Sequence, residues 1–248
     1  MRNNVDKQKH RLVPSGKLGL VLMVTILVAI SIATTIAYYN HQAERRSVNE
    51  PEQQGQLKKA ILDKTPNDHV YGAKDAKIQF VLYSDIHCQY CRSAYPKIKR
   101  AVDSFPPGTL SLVYRHIPII YTHTEPTRAE IASECAAKDL GDAGFYRFLD
   151  LMFQALPANI QTRDVSDDLI IEVAKSMQID AAQIMACVES GYNSDKIMAD
   201  YKSGGAMGVI VLPHAFLRSD LGVYPISYDQ NQDTYIAAVQ YILNNPKE

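Results

Sequence analysis

The sequence predicts a mixed α/β domain with a helical insertion, preceded by one helix apolar enough to cross a membrane. Three observations predict this class. An uncharged run of 22 residues lies near the N-terminus, short apolar strand-like runs alternate with helical periodicity, and a long helical stretch separates the second such run from the third. With 248 residues, 46% of them hydrophobic, the chain can build one sizeable core with appendages.

The formal net charge of -1 is unevenly distributed. Residues 1–17 carry Arg2, Lys7, Lys9, Arg11 and Lys17 against Asp6, giving +4, and the remainder carries -5. A domain of that sign does not attract a polyanion, so no nucleic-acid partner is expected.

The span itself is 18–39, "LGLVLMVTILVAISIATTIAYY". As a helix it measures about 33 Å at ~1.5 Å per residue, enough for a hydrocarbon core of about 30 Å. The basic tail 1–17 holds the N-terminus in the cytoplasm, and Tyr38 and Tyr39 fall at the opposite interface. A cleaved signal peptide is the rival reading. Its apolar region would be shorter and end in a small-x-small site, which Thr35-Ile36-Ala37 matches only in part, so an uncleaved anchor is favoured. Both readings export the rest of the chain to an oxidising compartment. The expected location is the cytoplasmic (inner) membrane, crossed once, with the C-terminal domain in the periplasm or extracytoplasmic space.

Residues 40–66 are polar and charged, with one short helical patch at Leu57 to Leu62, and read as a linker. The domain proper is 67–248. Ile78 to Tyr83, "IQFVLY", is a buried-strand run, and "CRSAYPKIKRAVDSF" after it has helical spacing. "LSLVYRHIPI", Leu110 to Ile119, is the next strand. A helical insertion at about 125–203 follows, its helical stretch running from Thr127 to about Lys202 with breaks at "LGDAG", "ALPANI" and "ESGYNS". Strands return at "GVIVLPHAFL" and "VYPIS", joined by "RSDLG", before a helix from Asp233 to Asn244.

Within "SDIHCQYCRSAYP", Cys88 and Cys91 stand where a strand hands over to a helix. A thiolate is the nucleophile of disulfide exchange, and unpaired N–H groups at a helix N-terminus favour its negative charge. Cys88 is therefore expected to be the activated, exposed thiol, and Cys91, one turn deeper, the resolving one. A substrate thiolate attacks Cys88, a second substrate thiolate resolves the mixed disulfide, and Cys91 closes the ring when a partner reoxidises the pair or releases a stuck intermediate. Zinc or copper would need two more ligands; His87 and His214 are available, but there is no second CxxC and no HxxxH, so no metal site is expected. A purely structural Cys88–Cys91 bridge closes too short a loop to stabilise much.

The element order, together with "VYGAKDAKIQFVLYSDIHCQYC", "LVYRHIPI", "IASECAAKDLGDAGFYRFLDLMF" and "GVIVLPHAFL", resembles the DsbA-like family of exported thiol:disulfide oxidoreductases. The resemblance runs from Asp68 to about Asn245 and implies a thioredoxin-like fold with an inserted helical domain. It implies a kink at Pro96 and a cis bond at Pro213, with the Leu212 backbone offered to an extended substrate peptide. The family more often has threonine or valine where Leu212 stands. Cys135 and Cys187 match positions that some members pair, and a structural bridge between them would be worth roughly 4 kcal/mol. Two departures stand out. The family's buried acid, six residues before the first cysteine, is here Leu82; Asp85, by strand alternation, falls on the opposite face and is no obvious substitute. The dipeptide Gln89-Tyr90 lacks the proline and histidine of the strongest oxidants, although His87 would restore part of that cationic effect if its ring turned toward the sulfur. His214 is read first as a solvated rim residue.

The expected function is disulfide formation in exported proteins, with thiol-bearing substrates and a membrane redox partner that resets Cys88/Cys91, and with no cofactor. A reductase or isomerase kept reduced by a membrane donor is the alternative within the class. Residues 40 to 66 are too few for the separate dimerisation domain of isomerases. A non-catalytic envelope-binding or chaperone module is the alternative outside it.

Overall fold

The computed structural model describes residues 16–118, 125–156, 165–226 and 231–245. The chain divides into two units, Met1–Gln54 and Gly55–Glu248. Most of the basic tail, residues 1–15, lies outside the described residues.

In the first unit, helix α1 (Gly16–Leu62) begins and contains the apolar segment Gly19–Asn40. Hydroxyls of Thr25, Thr34 and Thr35 donate to carbonyls of Leu22 and Ser31 within the same helix, at 2.8–2.9 Å. Such internal satisfaction is what an apolar medium requires of a polar side chain. The stretch 40–66, expected to be helical only at its Leu57–Leu62 patch, is helical as far as Leu62. Its Ala, Glu, Gln, Lys and Arg are strong helix formers, so a polar composition did not imply an irregular backbone.

The second unit holds a five-stranded sheet in the order β1 (His69–Gly72), β3 (Leu110–His116), β2 (Ile78–Ser84), β4 (His214–Ser219), β5 (Gly222–Ile226). Strands β2 and β3 run parallel, and the other three pairings are antiparallel. Alternation divides the sheet into two buried faces. Ile78, Phe80 and Leu82 of β2 join Leu112 and Tyr114 of β3 in the main core, which also takes residues of α2 (Gln89–Asp103), α3 (Arg128–Ala155) and α7 (Gln232–Asn244). Val81 and Tyr83 face the other way, with Val113, Phe216, Met207 and Leu62. Leu62 is thus buried by the sheet, and Arg115 fixes the segment by donating to the Ile61 and Asp63 carbonyls at 2.8 and 3.0 Å while pairing with Asp68.

Strand β1 was not expected. Four half-buried edge residues are too few to reveal a period. The strand expected from Gly208 begins only at His214, because Pro213 offers no N–H to a ladder and Ile210 and Val211 are exposed.

The insertion comprises α3, α4 (Asp167–Ser176), α5 (Ala181–Glu189) and α6 (Ser194–Ala206). Thr127 and Glu130 form a reciprocal capping box at the start of α3. The expected break at "LGDAG" is a kink at Gly141, φ +61°, rather than an end. The break at "ESGYNS" separates α5 from α6, and a further, unexpected one at 177–180 separates α4 from α5. Most of the "ALPANI" break lies outside the described residues. Against the sheet, Gly204 of α6 lets the backbone approach so closely that a Cβ would meet Ile117 Cδ1 at 2.4 Å.

Candidate active site

Strand β2 ends at Ser84, and the three residues that follow turn the chain so that Cys88 becomes the N-cap of α2. Its extended backbone (φ -80°, ψ 115°) places Sγ over the first turn, where it accepts the Cys91 N–H at 3.2 Å. Here the sulfur does what a serine or aspartate oxygen does at most helix starts. Cys88, expected to be exposed, is instead buried, only 7% accessible, because its sulfur is turned in over the first turn of α2 and faces the Leu212 carbonyl at 3.8 Å, across a Leu212–Pro213 peptide that is cis. Cys91 is wholly buried. Pro96 sits inside α2, which continues through it.

The two sulfurs are electrostatically unequal. A hydrogen bond from Cys91, followed by the amide N–H groups of Cys91 and Tyr90, pulls the Cys88 thiol below its ordinary range, against the opposing effects of burial and of Asp85. Burial, then the neighbouring Cys88, pushes Cys91 well above it. One thiol is thus the readier to ionise and the other the readier to stay protonated.

Around them the remaining expected residues take distinct places. Gln89 and Tyr90 are exposed at the start of α2, and Tyr90 together with Ile210 and Val211 leaves apolar surface uncovered. His87 is buried, and its Nδ1 meets Asp85 Oδ1 at 3.1 Å, with its own backbone N–H donating to the same oxygen at 2.6 Å. His214, the first residue of β4, is half-buried against Phe216, and burial lowers its pKa. Cys135 of α3 and Cys187 of α5 are joined as a disulfide with Cα atoms 6.0 Å apart. Among the described residues no cluster of three or more His, Cys, Asp or Glu has metal-binding geometry.

Asp85 requires a correction. Alternation set it opposite Leu82, yet the strand stops at Ser84 and the period stops with it. Asp85 is fully buried beside the thiols, its charge opposing ionisation of Cys88 and its backbone N–H favouring the Cys91 thiolate. Leu82 is apolar as read, opposite Tyr114 in the β2–β3 register.

Sequence reasoning missed a buried polar group behind the pair. Ser84, Tyr114 and His116 share the face of Leu82, and α3 adds Glu130 and Glu134. Glu134 receives His69 Nε2 at 3.0 Å and Lys196 Nζ at 2.9 Å; Lys196 also meets Asp200 at 3.1 Å, and Asp200 accepts the His116 N–H at 3.1 Å. Although burial alone would raise Glu134, His116 Nε2 at 3.5 Å, then His69 and Lys196, hold it far below the usual carboxylate range. The T-x-x-E motif at Thr127–Glu130 was a readable cap signal, but nothing local announced that the glutamate would be buried.

A protein-family model described as Thioredoxin matches residues 64–232. The chain belongs to the thioredoxin family, and its fold is that of DsbA-type oxidoreductases. The crystal structure of Pseudomonas aeruginosa DsbA2 is similar with a TM-score of 0.57 and 21% identity, over 75% of this chain and 100% of that one. Oxidised BdbD from Bacillus subtilis is similar with a TM-score of 0.60 and 19% identity, over 72% and 94%. Among curated proteins, the Na+/H+ antiporter NhaA 1 of Salinispora arenicola is 35% identical over 86 residues, which cover 34% of this chain and 12% of the antiporter.

Proposed function

We propose that the chain is a membrane-anchored thiol:disulfide oxidoreductase that introduces disulfides into exported proteins through Cys88 and Cys91. The observation that carries this reading is the asymmetry of the pair: a depressed thiol capping α2 opposite the Leu212 carbonyl, and a sealed thiol one turn below it. That arrangement favours release of Cys88 as a thiolate, and a good leaving group makes an oxidising disulfide.

A substrate thiolate bonds to Cys88 Sγ, and the Cys88–Cys91 bond breaks with its electron pair on Cys91. The second substrate thiolate then attacks the substrate sulfur of the mixed disulfide and expels Cys88 as a thiolate. The substrate leaves oxidised and the enzyme reduced, and a membrane redox partner takes the two electrons to restore the disulfide. The cis Leu212–Pro213 loop holds an extended peptide beside Cys88, with Leu212 offering its backbone and Tyr90, Ile210 and Val211 contributing apolar contact. The apolar segment Gly19–Asn40 supports an anchor in the inner membrane with the domain outside the cytoplasm.

Alkylation trapping in cells tests the direction of electron flow. An oxidised Cys88/Cys91 pair at steady state, in protein recovered with the membrane fraction, is the expected result. A reduced pair would assign the chain to the reductase or isomerase alternative, and a mature species beginning near Tyr38 and released by osmotic shock would remove the anchor.

A further inference from the structure

We propose that the disulfide between Cys135 and Cys187 is a second thiol-exchange site, at which a low-molecular-weight thiol carrying a carboxylate bonds to Cys187 and expels Cys135. Exposed disulfides have higher potentials than sealed structural ones and form the labile or regulatory class. This bridge lies in the wall of a surface pocket of about 340 Å³, with Lys138 and Asp139 of α3, Gln183 of α5 and Ile179 around it. That volume falls within the range of roughly 300–1,000 Å³ that accepts a small molecule.

The two cysteines are unequal in access and in surroundings. Cys187 is only partly buried, whereas Cys135 is 5% exposed, so an incoming thiolate reaches Cys187 first. Cys187 also stands in the last turn of α5, where the unpaired carbonyls of a helix end disfavour a thiolate. Cys135 lies inside α3, away from either end, and is the better leaving group of the two. Lys138, three residues further along α3 and exposed, supplies the positive charge of the pocket. Its ammonium lies 5.1 Å from the centre of the Tyr192 ring, a contact that holds it near the wall. Asp139, the acid of the wall, accepts the Gln183 side-chain amide at 2.6 Å. The pocket thus places an accessible sulfur and a cation together, which suits a thiol that carries a carboxylate.

In the exchange, the thiolate sulfur bonds to Cys187 Sγ as the Cys135–Cys187 bond breaks with its electron pair on Cys135. Cys187 then carries the small thiol as a mixed disulfide, and the Cys135 thiolate takes a proton from solvent. Attack of Cys135 on Cys187 reverses the step. Alternatively, a second small thiolate attacks the small-thiol sulfur of the adduct and expels Cys187 as a thiolate, and the two small thiols leave joined. Opening unties α3 from α5, so the state of the helical insertion follows the thiol-to-disulfide ratio of the compartment.

The test incubates the full-length protein with reduced glutathione, a tripeptide thiol that carries carboxylates, at urea concentrations below the unfolding transition. Acid quenching, alkylation and mass mapping then report each cysteine separately. The expected product is a glutathione adduct on Cys187 with Cys135 alkylated, formed at a rate proportional to thiol and little changed by urea. Lys138→Gln should react with glutathione about threefold more slowly, the scale of one exposed ion pair, and as fast as wild type with β-mercaptoethanol, which has no carboxylate. A rate that climbs steeply with urea would mean that the bridge opens only on unfolding and would overturn the site. So would the absence of an adduct, an adduct on Cys135 instead, or a Lys138→Gln chain that matches wild type toward glutathione. The Cys88→Ala/Cys91→Ala chain should give the same adduct, and its loss there would overturn the site by showing that opening proceeds through the other pair. Because the mapping reads the two pairs separately, failure of Cys88/Cys91 to exchange would remove the proposed function and leave this site standing.

Discussion

The backbone N–H of Cys91 donates to the sulfur of Cys88 at 3.2 Å, so one cysteine of the pair stabilises negative charge on the other. The same helical turn that makes Cys88 the better thiolate seals the Cys91 thiol away from water. Activation and burial are therefore two results of one local geometry, the capping of a helix by its own first cysteine.

That division of labour predicts opposite outcomes for two conservative changes. Cys88→Ser should abolish exchange. Cys91→Ser should accumulate a long-lived mixed disulfide with substrate, because no intramolecular thiol remains to displace it. Non-reducing electrophoresis with mass mapping distinguishes them, and trapping by Cys88→Ser instead would reverse the assignment.

The bridge between Cys135 and Cys187 spans 52 residues and ties α3 to α5. In the chain-entropy model, closing such a loop contributes about 4 kcal/mol. The Cys135→Ala/Cys187→Ala double variant should lose stability on that scale in denaturant unfolding, while its exchange activity at low temperature should persist. Loss of exchange in a variant that is still folded would mean that the bridge supports the redox centre.

Lys196 is the buried cation between Glu134 and Asp200, at 2.9 and 3.1 Å. Removing one partner of a buried ion pair leaves an uncompensated charge, at a cost of about 3–5 kcal/mol. Lys196→Met should therefore unfold at markedly lower urea concentration than wild type. The pH dependence has a definite sign. Glu134 is held below its unfolded value, so its contribution is present above the ordinary carboxylate range and is lost as pH falls through the folded value. The acid-induced loss attributable to it should be absent in Glu134→Gln.

Much of this organisation was readable because it depends on local signals. The runs at Ile78–Tyr83 and Leu110 onward are apolar enough to be central strands, and Cys88 falls where the period changes from strand to helix. What could not be read depends on contacts distant in sequence. The edge strand at His69 is visible only through its pairing with β3, and the helical course of residues 40–62 was masked by a polar composition. Asp85 was misplaced because strand periodicity was extended one residue past the end of the strand. The polar cluster of Glu130, Glu134, His116, Lys196 and Asp200 is assembled from β3, α3 and α6, up to 84 residues apart in the chain, and no local pattern brings those groups together.

The redox equilibrium of the Cys88/Cys91 pair tests the central claim most directly. The purified protein is equilibrated with reduced and oxidised glutathione, and the Cys88 thiolate is titrated by ultraviolet absorbance. Because Cys88 ionises below its unfolded value, the reduced fold gains stability as pH rises through the folded value toward about 8.5. Above about 8.5 the raised Cys91 acts in the opposite sense, since it ionises more readily unfolded. The account predicts a potential clearly more oxidising than thioredoxin's value of about -270 mV, with a thiolate that persists below the ordinary thiol range and vanishes in Cys88→Ser. A potential near -270 mV together with a Cys88 that titrates like a free cysteine would contradict it.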